Sequence, residues 1–328
     1  MQFTHVNGSI SETKTISCGI PQGTVLGPLL FLLYINDLPS SVKQSKPKLF
    51  ADDSNLFVTG NNLTKLYETA NSELSFLSNW IYSNKLHINY DKTTYMLFDP
   101  LKKLIPTHTP NQLPTLLLDG RSIERIHVVK YLGVFIDDKL EWSDHINYII
   151  KKVSSLSGIL SRHKASLPIK CKKNIYFALI HSSIIYCIEA YGNVTKSKFR
   201  PLIIKCNRLL RLLQSKPRRT PLHDLYSAFS ILPPDLLFQF HILKFIHKCL
   251  YDSPHNPPIV QNWFLRGNIL HSHNTRHKDS FVLQSNCNPK SILFLGPSLW
   301  AKLPSFIQNE SSCSSFAITL KNFLINTV

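Results

Sequence analysis

Several things are scarce in this 328-residue sequence. It offers no run of the roughly 20 uninterrupted apolar residues that a bilayer span requires; Ile175 to Tyr191 is broken by His181 and Glu189 and reads as a buried helix. The opening Met1 to Ile10 has neither an apolar centre nor a cleavage pattern, which argues against secretion. The seven cysteines are scattered, odd in number and without any CxxC, so they suit a reducing compartment and supply no disulfide framework. His271, His273 and His277 before Cys287 match no usual zinc spacing and read as a polar loop. Acids are also few, with 20 Asp and Glu against 37 Lys and Arg, a formal charge of +17. That imbalance favours a polyanionic partner: nucleic acid first, an acidic membrane surface second.

What is present suffices for a substantial core, since 43% of the residues are hydrophobic. Asn7-Gly8 lies between two short extended segments and predicts a tight hairpin. Gly27-Pro28 introduces a helix over Leu29 to Leu38, with Pro39 just past its end. Leu63, Leu66, Tyr67, Ala70, Leu74, Leu77, Trp80 and Ile81 recur at helical spacing and form one amphipathic face. Residues 86 to 136 alternate like strands, interrupted by a loop with Pro100, Pro106, Pro110 and Pro114 and by a turn at Asp119-Gly120. From Ser143 onward the pattern is mainly helical, and Pro, Asn, Ser and His accumulate after Pro254 to Pro258. No internal repeat is visible. The expected class is α+β, divided at 1–142, 143–252 and 253–328.

Two segments carry chemistry. "KPKLFADDSNLFVTG" places Asp52 and Asp53 between apolar runs at an expected hairpin tip. A double Asp is also ordinary turn chemistry, and Asp137-Asp138 is read in that way, as a solvated turn. Upstream, "CGIPQGTVLGPLLFLLYINDLP" joins a glycine-marked turn to an apolar helix; Gly19, Gly23 and Gly27 admit close backbone approach and Pro21 stiffens it. Taken alone, this is a glycine-marked loop before a buried helix.

Together, Gly-Ile-Pro-Gln-Gly followed by Phe-Ala-Asp-Asp resembles the palm of a reverse transcriptase of the non-LTR retrotransposon type, and the likeness is strong over residues 15 to 140. The resemblance implies a partial polymerase palm, an antiparallel sheet with packed helices, followed by a helical thumb and a C-terminal extension. It implies RNA-templated DNA synthesis with an RNA template, a DNA primer and deoxynucleoside triphosphates, and two Mg²⁺ or Mn²⁺ ions, which hard carboxylate oxygens suit. It places catalysis and metal binding on Asp52 and Asp53, and template or substrate contact on Pro21, Gln22 and Gly23. Within "NYDKTTYMLF" it gives Lys92 a phosphate contact, although a surface lysine reads equally well. "VVKYLGVFID" resembles the primer grip, with Tyr131, Leu132 and Gly133 at its centre. A nuclear and cytoplasmic location follows from the family alone.

Residues 196 to 219 contain nine basic residues and no acid, with Lys205, Arg208 and Arg211 three apart beside an apolar face. A helix gripping a nucleic-acid backbone needs such a stripe, and an ordinary solvated face has the same pattern. The family also uses a catalytic aspartate on an earlier strand, yet the only acid before Gly19 is Glu12. The expectation is therefore an inactive isolated chain that starts internally in its element, and the alternative function is a catalytically silent, basic nucleic-acid-binding remnant.

Overall fold

The computed structural model describes residues 3–15, 19, 23–99, 113–163, 165–252, 256–260, 263–264, 281, 288 and 291–328. They form two units, Met1–His127 and Val128–Val328. Short sheets and packed helices make the chain α+β.

In the first unit, β1 (His5–Val6) and β2 (Ser9–Ile10) flank Asn7-Gly8, both in the left-handed region that a tight hairpin turn demands. Helix α1 (Gly27–Ile35) has Pro28 in its first turn and is apolar on every side, yet only Ile35 is buried. The short α2 (Leu38–Ser41) follows, with Pro39 at its start. The hairpin β3 (Lys46–Phe50) and β4 (Asp53–Phe57) precedes the long α3 (Leu63–Ser83), which Asn62 caps by accepting from the Lys65 N–H at 3.0 Å. One face of α3 packs Tyr67, Leu63, Leu66, Ala70 and Leu74 against Leu97, Leu116, Leu118 and Ile123.

The stretch expected to be mostly strand is only sparsely so. Among the described residues, pairing is confined to β5 (Thr94–Tyr95) with β8 (Glu124–Arg125), which is parallel, β6 (Leu117–Leu118) with β7 (Arg121–Ser122), and a later hairpin. Asn89 is the reason near the start: its side chain accepts from the Lys92 N–H at 3.2 Å and winds Tyr90–Lys92 into a 3₁₀ turn where alternation suggested strand. The loop prolines Pro100, Pro106 and Pro110 lie outside the described residues.

The second unit opens with β9 (Val128–Tyr131) and β10 (Val134–Asp137), then α4 (Ser143–Arg162) and α5 (Ile169–Ile175). The two units divide between His127 and Val128, and within the second Asp137 ties β10 to the start of α4. This residue is 9% exposed; its Oδ1 accepts from the N–H groups of Lys139 (3.2 Å) and Glu141 (2.9 Å), and its Oδ2 from that of Trp142 (2.7 Å). The expected solvated turn is a buried carboxylate fastening β10 to the start of α4.

The expected single helix over 175–191 is broken. A π-helical segment, Tyr176–His181, leads into α6 (Ser182–Ile185); the chain then turns through Tyr186 and a left-handed Cys187 into α7 (Ile188–Tyr191). Ser182 and Ser183 donate back to the carbonyls of Ala178 and Leu179, a local competition that loosens a helix. Helices α8 (Lys196–Leu213), α9 (Leu222–Phe229) and α10 (Pro234–Tyr251) complete the central bundle. After it come α11 (Ile292–Trp300), α12 (Ser305–Gln308) and α13 (Cys313–Ile325). Phe316, Leu320 and Leu324 of α13 belong to the same core cluster as Ile149, Leu209 and Ile246, so the final segment shares the bundle's interior. Among the described residues no single helix is long and apolar enough to cross a membrane; α9 and α10 together pass by composition but bend by 50° at their junction. The histidine run with Cys287 lies outside the described residues.

Candidate active site

The double-Asp segment folds as a hairpin. Phe50 pairs with Asp53 across a two-residue turn, Ala51-Asp52, with Ala51 at φ +50°. A positive φ at the first turn position lets a two-residue turn match the right-handed twist of its strands. Asp52 is thus the second turn residue and Asp53 the first residue of the returning strand, so the two aspartates are consecutive at the apex. Both are exposed, and Phe50, which pairs with Asp53, is 60% exposed. Among the described residues neither carboxylate is committed to an ion pair.

Hard divalent cations take oxygen ligands, and Mg²⁺ is held by one or two carboxylates completed with water and phosphate. The apex has the right donor chemistry for one such ion. A two-ion centre asks for more, and no group of three or more His, Cys, Asp or Glu side chains able to hold a metal occurs among the described residues.

The base of the hairpin rests on a residue that sequence reading missed. Glu73 of α3 is 1% exposed and receives three successive backbone N–H groups: Lys43 (3.1 Å), Gln44 (3.2 Å) and Ser45 (3.0 Å). The Ser45 hydroxyl also donates to it, and the Lys43 ammonium lies 4.5 Å from the centre of the Phe76 ring. Burial opposes the charge on Glu73, but the hydrogen bonds from Ser45, Gln44 and Lys43 prevail and hold its carboxyl below the usual range. Its signal in the sequence was an acid among the apolar positions of an amphipathic helix, between Ala70 and Leu74.

Pro21 and Gln22 lie outside the described residues. Gly23 is exposed at φ +85°, a conformation that favours glycine, and a Cβ added there would meet nothing within 4 Å. Lys92 ends the 3₁₀ turn with its side chain exposed. The preceding Tyr90 donates to Asp119 at 2.7 Å, under the Arg121 guanidinium at 4.5 Å from the ring centre. Hydrogen bonds from Ser78 and then Tyr90 keep the Asp119 carboxyl below its ordinary range.

Tyr131, Leu132 and Gly133 come together at the β9–β10 turn, with Leu132 at φ +45° and Gly133 at φ +85°. The Tyr186 hydroxyl donates to the Leu132 carbonyl at 2.7 Å, and a Cβ on Gly133 would lie 3.4 Å from Tyr186 Cε1. The tip is therefore held against the break between α6 and α7.

On α8, Phe199, Leu202, Cys206, Leu209, Leu210 and Leu213 are buried, and the helix packs on α4. The three basic residues differ in their surroundings. Arg208 is exposed and Lys205 half-buried, while Arg211, also half-buried, donates from Nη2 to the Thr220 carbonyl at 3.2 Å. Elsewhere on the helix, Lys198 pairs with Glu141 at 2.7 Å, and Arg200, Ile204 and Arg208 form an exposed row.

Residues 1–167 match the family described as reverse transcriptase (RNA-dependent DNA polymerase). Among curated proteins, the chain is similar to the RNA-directed DNA polymerase from mobile element jockey of Drosophila melanogaster, with 28% identity over 224 residues, 65% of this chain and 23% of the relative. It is similar to the probable RNA-directed DNA polymerase from transposon BS of the same species, with 28% identity over 235 residues, 67% of this chain and 25% of the relative. A further match is the retrovirus-related Pol polyprotein from type-1 retrotransposable element R1 of Bradysia coprophila, with 28% identity over 203 residues, 60% of this chain and 20% of the relative. The chain thus spans a quarter or less of the length of these relatives. No solved structure gives a significant match.

Proposed function

Because this chain belongs to the reverse transcriptase (RNA-dependent DNA polymerase) family and is of the non-LTR retrotransposon kind, we propose that its Asp52–Asp53 hairpin serves RNA-templated DNA synthesis. The observation that carries this reading is the apex itself: two adjacent carboxylates, exposed and unpaired among the described residues, inside the stretch that matches the family.

In this reading the first unit supplies part of a palm and the bundle that follows supplies a thumb. RNA template, DNA primer and deoxynucleoside triphosphates are the substrates. Asp52 and Asp53 would hold Mg²⁺ or Mn²⁺, and such an ion, when bound, would supply neutralisation of phosphate charge and a lower cost of deprotonating the primer hydroxyl. The hairpin's own contribution is orientation: a two-residue turn fixes both carboxylates on a short, rigid ribbon. Gly23 allows close approach of backbone, and Pro21 and Gln22 precede it in sequence. Lys92 presents an ammonium that suits phosphate, the 131–133 turn contacts the primer end, and Lys205, Arg208 and Arg211 neutralise nucleic-acid backbone charge.

Primer extension on an RNA template with Mg²⁺ or Mn²⁺ tests the proposal. Extension that disappears in Asp52→Ala supports catalysis at the apex; extension that persists in that variant overturns it.

A second reading, a nucleic-acid binder without catalysis, is favoured by the absence of a three-ligand metal cluster among the described residues together with the +17 charge. Salt-sensitive RNA binding with no extension by the unaltered chain would select it.

A further inference from the structure

We infer that Glu73 is a positioning residue for the Asp52–Asp53 apex, acting through the 43–45 loop. The inference rests on the polymerase reading for its consequence, but not for its geometry.

β3 and β4 are hydrogen-bonded only to each other among the described strands, so no wider sheet holds their apex in place. The apex stands about 17 Å from the base of the ribbon, the length of a five-residue strand, and its location follows from how the two legs are rooted. Both are rooted on α3. The outgoing leg leaves the 43–45 loop, whose three N–H groups and one hydroxyl converge on Glu73. The returning leg runs through 58–62 directly into the Asn62 cap of the same helix.

A buried carboxylate is a poor way to gain stability alone, because desolvating it costs several kcal/mol and an apolar side chain of similar volume is often as good. What a carboxylate supplies and an apolar group does not is direction. Its two oxygens accept four donors from three consecutive residues and fix the orientation in which the chain enters β3. The neutral amide of glutamine cannot reproduce this, since its NH₂ would face N–H donors.

The test uses the full chain carrying Glu73→Gln, with Ser45→Ala as a milder variant in case the first fails to fold. Hydrogen exchange is followed over residues 43–57, and primer extension is resolved into kcat and the KM for template–primer. Exchange there should accelerate about tenfold in Glu73→Gln and less in Ser45→Ala, as expected for lost hydrogen bonds to a charged group, while α4 and α8 keep their protection. The kcat per folded molecule, with the folded fraction taken from a melt of the same preparation, should fall with little change in KM, whereas general destabilisation lowers the folded fraction and leaves that normalised kcat unchanged. Unchanged exchange over 43–57 overturns the inference whatever the activity, and faster exchange with an unchanged kcat overturns the positioning role. An unaltered chain that extends nothing, combined with faster exchange in the variant, overturns the polymerase reading and upholds Glu73 as the root of the ribbon.

Discussion

The Tyr186 hydroxyl donates to the Leu132 carbonyl at 2.7 Å, tying the tip of the β9–β10 hairpin to the point where the chain breaks between α6 and α7. The break makes the contact possible: Tyr186 leaves helical geometry at ψ 113°, and Cys187 restarts the chain from the left-handed region. Tyr186→Phe removes one hydrogen bond and should lower stability by about 1 kcal/mol. Gly133→Ala should cost about 1–2 kcal/mol through its positive φ. Urea denaturation of the two variants measures both values.

Asp137→Ala should also destabilise that region. It strands the N–H groups of Lys139, Glu141 and Trp142, and a loss of about 1–2 kcal/mol is expected because these bonds are only part-buried. Asp138→Ala serves as the neighbouring comparison and should cost less. A thermal melt of both variants decides between a buried fastening and an ordinary turn.

Asp52→Asn and Asp53→Asn should behave in the opposite way, because both side chains are exposed and unpaired among the described residues. Stability should stay within about 0.5 kcal/mol of the unaltered chain, while primer extension is lost. A variant that lost extension only because it unfolded would show a shifted melting curve, so the two measurements are made on the same preparations.

How much of this was legible beforehand depended on the range of the forces involved. The hairpin at Asn7-Gly8, the start of α1 at Gly27-Pro28 and the Asp52–Asp53 apex are decided by turn and cap chemistry within a few residues, and each could be read directly. Where partners lie far apart in the chain, reading stopped. Nothing near Glu73 in sequence announces that its acceptors serve residues 43–45, and the pair at 137–138 has the same composition as the pair at 52–53 although Asp137 is turned inward. Strand pairing over 86–136 was overread because alternation registers half-burial, and extended segments can satisfy that pattern without a partner strand.

Glu73 also gives the first unit an acid sensitivity with a defined sign. Its folded carboxyl titrates below its unfolded value of about 4.3, so the stabilisation it supplies is complete above that value and is lost as the pH falls through the folded one. Exchange protection over residues 43–57 should therefore decline in that acid window in the unaltered chain, and Glu73→Gln should show lower protection with a flatter pH dependence.

The basic helix separates binding from stability. Arg208→Ala should reduce the salt dependence of RNA binding by about one unit of slope and leave folding unaffected. Arg211→Ala should also lower the melting temperature, since that guanidinium holds the Thr220 carbonyl. Titrations at several salt concentrations, with melts on the same samples, distinguish the two.

Helix α1 has a practical consequence for anyone handling the polypeptide. Leu29, Leu32 and Leu33 are 54%, 58% and 67% open to water, with Val25 at 94% just ahead of them. A greasy rod of this kind makes a preparation adhesive: it takes up solvatochromic dyes, clings to chromatography resins and clumps as it is concentrated. Mild surfactant or a solubilising fusion is the sensible starting condition for every assay described above.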